Sequence, residues 1–282
     1  MYLWRRTAKT HWVEVHKDLL QAHAHGQLVL VQRPGRKHLE LEIARARRRD
    51  LSALVKKFGG RIEALPRNWL KQFARSDSKP IKIAKRLIIS SLEKNLASRT
   101  SRHKGPSRII IPASLAFGTG EHATTAMSLR LLEQLTRQWK RGWSLVDLGT
   151  GSGILALAAK RFGAGPVIGI DNDPAAISVA KSNARLNKIR DVSFQFGDVH
   201  KWNSLQETDV ITANLYSDLL IEILSKPGGS GWLILSGILR SQQDELVRAL
   251  KRKHFGIINA KCRGRWVAIL AKRRGFVRPR GA

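Results

Sequence analysis

An acid followed by three alternate glycines, Asp147-Leu148-Gly149-Thr150-Gly151-Ser152-Gly153, separates an apolar run, Trp143–Val146, from a helical pattern over Ile154–Phe162. A strand that turns into a helix through glycines bends tightly and leaves its backbone open to close approach by a ligand. The alternation then continues. Val167–Ile170 reads as a strand ending at Asp171, Pro174–Leu186 as a helix, and Val192–Phe196 and Asp209–Ala213 as strands. Leu219–Leu224 reads as a helix, Trp232–Leu235 as a strand and Ser241–Lys251 as a helix. Strands alternating with helices specify an α/β sheet of mostly parallel strands. Ile257–Cys262 and Trp266–Ala271 are joined only by Arg263-Gly264-Arg265. With no helix to carry the chain back, one of that pair is expected to run antiparallel to the rest.

Two cofactors compete for the glycine loop. Gly151-Ser152-Gly153-Ile154-Leu155-Ala156 fits the dinucleotide pattern G-x-G-x-x-A. The longer string from Asp147 to Gly153 fits an S-adenosylmethionine (AdoMet) site, where Asp147 suits a cationic amine. Asp171 ends the next strand, where an acid can hold ribose hydroxyls. Gly197-Asp198 ends the third strand, where a carboxylate could accept from an adenine amino group.

Two further segments carry information: Leu115-Ala116-Phe117-Gly118-Thr119-Gly120-Glu121-His122-Ala123-Thr124-Thr125 upstream, and Thr212-Ala213-Asn214-Leu215-Tyr216 at the end of the fourth strand. With the glycine loop, GIDNDPAA and LILSGIL (233–239), they make the stretch from 109 to 270 resemble the PrmA-type methyltransferases, which modify large-subunit ribosomal protein eleven. The resemblance implies a Rossmann-like AdoMet methyltransferase sheet, mostly parallel with an antiparallel last strand, and AdoMet contacts at Thr125, Gly149, Asp171 and Asn214. Gly149, Asp171 and Asn214 are also reached from the residues alone, since each falls at the carboxyl edge where such sheets bind ligands. Asp147, Gly151, Gly153 and Asp198 complete the expected cofactor set. His122 is read as a structural residue of its loop rather than a general base.

The chain also departs from the family pattern. Relatives commonly have Asn-Ile-Leu-Ala after the fourth strand, where this chain has Asn214-Leu215-Tyr216-Ser217. Tyr216 therefore puts an aromatic hydroxyl near the expected acceptor pocket, either to assist or to wall it. Acidic residues common around the family's connector tryptophan are replaced by Arg67-Asn68-Trp69-Leu70-Lys71.

Ahead of the methyltransferase pattern, residues 1–65 read as a small basic α+β unit, which in size and α+β character resembles the family's substrate-recognition domain. A hairpin is expected from Leu28–Gln32 and Leu39–Ile43 around the turn cluster 33–37. A helix follows over Leu51–Phe58, capped by Asp50 and ended by Gly59-Gly60, and then a strand over Arg61–Leu65. Residues 66–107 read as a connector, with a helical piece at Trp69–Phe73, a strand at Ile81–Ile89 and a polar loop from 98 to 107. Residues 108–282 form the catalytic domain with a basic tail.

Charge is divided unevenly. Of 51 Lys+Arg and 21 Asp+Glu, residues 1–112 hold 26 and 8, residues 113–245 hold 13 and 13, and residues 246–282 hold 12 and none. Cationic ends of this kind raise the local concentration of polyanions and point to work on or near RNA or a ribonucleoprotein. The single cysteine, Cys262, excludes an internal disulfide framework and fits a reducing compartment. No signal peptide or membrane span is read, so a cytoplasmic setting without membrane contact is expected. His23 and His25 have no third ligand nearby in sequence, so no metal site is assigned.

The expected activity is methylation of lysine ε-amines, the N-terminal α-amine, or both, on a large-subunit ribosomal protein. The enzyme is expected to be a monomer, with rRNA close to the substrate. Asn214 is expected to orient the amine and Tyr216 to stand beside it. Methylation of rRNA or tRNA, and a non-catalytic RNA-binding assembly role on the same fold, stand as alternatives.

Overall fold

The computed structural model describes residues 1–24, 28–32, 38–45, 47–66, 80–91, 105–112, 122–201, 208–225 and 230–277. The chain divides into two compact units, Met1–Arg75 and Ser76–Ala282.

The first unit is a four-stranded antiparallel sheet with two helices packed into its core. Its strands are β1 (Tyr2–Lys9), β2 (Val29–Gln32), β3 (His38–Arg45) and β4 (Arg61–Ala64), in the order β2-β3-β1-β4. The expected hairpin is β2 and β3, paired from Val29↔Glu42 to Gln32↔Leu39. Its turn cluster, 33–37, lies outside the described residues. The sequence reading did not include β1 or helix α1 (Thr10–Ala24). Strand β1 is central to the sheet, and Arg5 is tolerated there because Glu40, Glu42 and Glu63 from its two neighbours lie 3.0, 2.8 and 2.9 Å away. Trp4 is fully buried and donates from Nε1 to Gly59 O at 2.8 Å. Helix α2 (Ser52–Phe58) stops at Gly59 as expected. Asp50 is not its cap: a 3₁₀ turn over Arg48–Leu51 leads in, and Leu51 takes the N-cap position without a side-chain bond.

The second unit is built on seven strands: β8 (Leu145–Leu148), β9 (Val167–Asp171), β10 (Val192–Phe196), β11 (Thr208–Asn214), β12 (Ser230–Leu239), β13 (Phe255–Arg263) and β14 (Trp266–Arg273). Their order is β10-β9-β8-β11-β12-β14-β13. The pairs β9–β10, β8–β9, β8–β11 and β11–β12 are parallel, and β14 runs antiparallel to both β12 and β13. The inverted strand follows from the short turn at Gly264, which is too tight for a crossover helix. Helices α3 (Ala123–Thr136), α4 (Ile154–Phe162), α5 (Pro174–Leu186), α6 (Ser217–Ser225) and α7 (Gln243–Arg252) complete this unit among the described residues.

Part of the stretch read as connector belongs to this unit. In place of one strand over Ile81–Ile89 there is a hairpin, β5 (Ile81–Ile83) and β6 (Leu87–Ser90), with β7 (Ser107–Ile110) parallel to β6. Ile83, Leu87, Ile89 and Ile109 are fully buried in one core with α3, α4 and Trp143. Arg86 donates to Phe162 O at 3.1 Å and lies 4.6 Å over the Phe162 ring, tying the hairpin to the end of α4. The expected helical piece at 69–73, the Arg67–Lys71 departure and most of the polar loop at 98–107 lie outside the described residues.

Candidate functional site

The sheet reverses its winding between β8 and β11, since β9 lies on one side of β8 and β11 on the other. A crevice opens at the carboxyl ends of strands at such a point. The glycine loop (149–153) leaves β8 there, and Asn214 ends β11.

The loop is held by its own amides. Gly149, Gly151 and Gly153 have φ of 69°, 53° and 80°. Gly149 N and Thr150 N both donate to Ile170 O at 2.9 Å, Gly153 N donates to Thr150 O at 2.9 Å, and Gly151 N donates to Asp171 Oδ2 at 2.8 Å. At Gly153 a Cβ would meet Phe194 Cζ at 2.9 Å and Ala180 Cβ at 3.1 Å, so this glycine lets α4 pack against its neighbours.

Asp147 does not face the crevice as expected. It is 1% exposed, and its two oxygens accept from Thr212 Oγ1 at 2.6 Å and Thr150 Oγ1 at 2.7 Å. The Ala156 amide, in the first turn of α4, also bonds to it. Burial pushes its pKa up to about 6, against the pull of those hydrogen bonds, and nearby Asp171 adds to the rise. The Ala156 amide, one of the donors at the start of α4, is thus already spent on Asp147. With four loop amides spent internally as well, the loop offers no cradle for a pyrophosphate. These contacts fit AdoMet, which has none, better than a dinucleotide.

Asp171 sits at the crevice with Oδ2 on Gly151 N and Oδ1 on Asp173 N at 3.0 Å. Burial raises its pKa, and the amide bonds counter this. A carboxylate has about four acceptor sites, so capacity remains for hydroxyl donors. Asp198 follows β10 and accepts from His200 N at 2.9 Å.

Asn214, at the end of β11, and Thr125, at the start of α3, come together. Thr125 is buried in the first turn of α3, and its Oγ1 accepts from Asn214 Nδ2 at 3.3 Å. Asn214 Oδ1 is buried without a hydrogen-bond partner, and so is Ser217 Oγ three residues on. An unpaired buried acceptor costs stability and calls for a donor. Tyr216 is 56% exposed, and its carbonyl accepts from Leu220 N at 3.2 Å. His122 fits its structural reading: Nδ1 lies 2.7 Å from Thr124 Oγ1, the ring meets Trp266 edge-on at 5.2 Å, and burial, then Arg265, lowers its pKa. The preceding residues of that motif, 115–121, lie outside the described residues.

The sequence reading missed several residues here. Thr150 and Thr212 are the partners of Asp147. Leu215 packs beneath Gly149, and its amide donates to Ser236 O at 3.0 Å. Ser236 Oγ donates to Thr124 O at 3.4 Å and Val267 O at 3.2 Å, joining α3 to β12 and β14. A hydroxyl facing a strand-end acid across the sheet carries no signal in a linear sequence. Among the described residues, no group of three or more His, Cys, Asp or Glu could hold a metal ion. His25 lies outside them, and His23 Nδ1 lies 2.8 Å from Leu19 O.

Comparison with known proteins agrees with this architecture. Residues 41–274 match the family model described as ribosomal protein L11 methyltransferase (PrmA). The chain belongs to this family. Relatives named ribosomal protein L11 methyltransferase include one from Caldanaerobacter subterraneus, 34% identical over 201 residues, and one from Heliobacterium modesticaldum, 33% identical over 202. Each match takes in 70% of this chain but only 62% and 61% of the relative, so the chain spans about three fifths of the length of these PrmA proteins. A solved ribosomal protein L11 methylase from Lactobacillus delbrueckii is similar over 69% of this chain and 98% of its own, at 28% identity and a TM-score of 0.58. No described helix is long and apolar enough to cross a membrane.

Proposed function

We propose that this chain is an AdoMet-dependent methyltransferase of a ribosomal protein, as its PrmA relatives are named for being, and that the groups it modifies are amines. The observation that carries the reading is the unpaired, buried Oδ1 of Asn214 at the carboxyl edge of β11. An amide oxygen accepts hydrogen bonds and cannot donate, so its natural partner there is an N–H of an incoming amine.

The residues fit the cofactor. Gly149 lets Leu215 close against the loop, Asp171 takes hydroxyl donors, Asp198 stands just past the end of β10, and Thr125 meets the Asn214 amide. Asp147 holds the loop in shape from behind rather than meeting the cofactor's amine. When bound, AdoMet supplies a methyl group on a sulfonium that a nucleophile can displace. The protein's share is to align that nucleophile and exclude water.

An amine must be neutral to act. A lysine ε-amine ordinarily titrates near 10.4 and an α-amine near 7.7–8.0, and burial lowers both. Asn214 Oδ1 accepts one N–H and so turns the nitrogen lone pair away from itself. Tyr216, largely exposed, serves as an entrance wall. The one described cysteine, Cys262, is free, and we read the setting as cytoplasmic.

The test is to mix the protein with methyl-labelled AdoMet and large ribosomal subunits from unmethylated cells, then separate protein from RNA. Label in one ribosomal protein supports the reading. Label in RNA, or in neither, overturns it.

A further inference from the structure

Cations of the balanced middle (113–245) and of the basic end (246–282) meet along one edge of the second unit's sheet. The carboxyl edge of the second unit's sheet carries Asp171, Asp198 and Asp218, together with Arg240, Arg263 and Arg265. The opposite, amino edge, where strands begin and helices end, carries Asp191 and Asp209 and a larger set of cations from distant parts of the sequence.

Contacts join these cations into one band. Arg161, at the end of α4, donates to Asn187 O at 2.8 Å, beside Lys188. The next helix end is met at Gly142, whose amide donates to Gly163 O at 2.9 Å, bringing in Lys140 and Arg141. Trp139 meets Trp232 edge-on at 6.1 Å, and Lys272 lies 5.3 Å over the Trp232 ring. Beyond it, Arg273 pairs in register with Phe255, and Arg274 N donates to His254 O at 2.8 Å, next to Lys251 and Arg252. The band therefore crosses the width of the seven-stranded sheet.

Lys140, Arg141, Lys188, Lys251, Arg252 and Arg274 are all exposed. None of the six has an ion-pair partner among the described residues. Cations in the last turn of a helix complement its dipole, which accounts for Lys251 and Arg252. It does not account for Lys140, Arg141 or Arg274, which lie in connections. Clustered like charges repel one another, and that repulsion is relieved when a polyanion meets them. The partner has to be regularly and densely anionic, because the band is long and its cations sit on separate elements.

We propose that the amino edge of the sheet binds the phosphate backbone of RNA, on the face opposite the candidate methyl-transfer site. Binding there leaves the carboxyl edge open, so the enzyme can hold RNA while its crevice takes a protein substrate. The contact reads backbone charge and not sequence.

The test uses the full chain and a fluorescein-labelled RNA duplex, followed by anisotropy over a range of KCl concentrations, with AdoMet binding measured alongside as a check on folding. The triple variant Lys251→Glu/Arg252→Glu/Arg274→Glu should bind RNA at least about tenfold more weakly, with a salt slope shallower by about two or more. A second variant, Lys140→Glu/Arg141→Glu/Lys188→Glu, should behave the same way and serves if the first fails to fold. RNA affinity unchanged in both folded variants overturns the proposal, as does its loss only on reversing Arg47, Arg48 and Lys56 of the first unit. Equal competition by polyglutamate or by phosphatidylserine vesicles at matched charge overturns the assignment to RNA.

Discussion

Asn214 Nδ2 donates to Thr125 Oγ1 at 3.3 Å, joining residues 89 apart in sequence. In this arrangement the NH₂ end of the amide faces α3. With the NH₂ group committed to α3, the oxygen is left for an incoming donor.

Asn214→Ala is expected to cut turnover at least about tenfold, the loss that follows when a positioning contact goes. AdoMet affinity should change far less, which equilibrium binding can check. Unchanged kinetics would remove Asn214 from the reaction.

Thr125→Val keeps the shape and removes the acceptor. A neutral hydrogen bond is worth roughly 1 kcal/mol, so turnover should fall about fivefold. If the two residues act as a unit, the double variant with Asn214→Ala is no slower than Asn214→Ala alone. Steady-state kinetics on the four proteins measure the coupling.

Leu215 separates two glycine substitutions. At Gly149 a Cβ would meet Leu215 Cδ2 at 2.5 Å, the end of a side chain that can be shortened. At Gly237 it would run into the Leu215 carbonyl, which is backbone. Both Gly149→Ala and Gly237→Ala should destabilise by about 1–3 kcal/mol. Adding Leu215→Ala should recover part of the first loss and none of the second, as read by urea unfolding.

Asp147 sets a pH dependence. Its folded pKa, about 6, stands above the ordinary carboxylate value. Between the two values the folded chain binds a proton that the unfolded chain does not. This group's contribution to stability is therefore greatest below the unfolded value and falls as pH rises through about 6. Thermal unfolding from about pH 4 to 7 should show this component in the wild type and its loss in Asp147→Asn.

Much of the second unit was legible in the sequence from Leu145 onward. Helices Ile154–Phe162 and Pro174–Leu186 and strand Val192–Phe196 fall at the bounds their patterns set, because each is a single run with clear turn residues on both sides. Gly149, Asp171, Asp198 and Asn214 were legible for the same reason, as ends of strands that must share one edge. Strand β12 runs to Leu239, past the expected Leu235, because a bulge at Gly237 carries the ladder on after its register shifts. Strand β1 gave no period-two signal, because Arg5 sits in a central strand and is neutralised only by glutamates that the fold brings to it.

The amino-acid sequence by itself determined the alternation of strands and helices, the tight turn at the glycines and the one inverted strand in the last pair. All of these depend on local backbone freedom and the period of apolar residues. Only the tertiary structure decided that Asp147 turns inward to Thr150 and Thr212, that Thr125 meets Asn214, and that cations as far apart in sequence as Lys140 and Arg274 share one edge of the sheet. These are contacts between distant segments. They depend on where strand ends and helix ends meet in space, which no local pattern records.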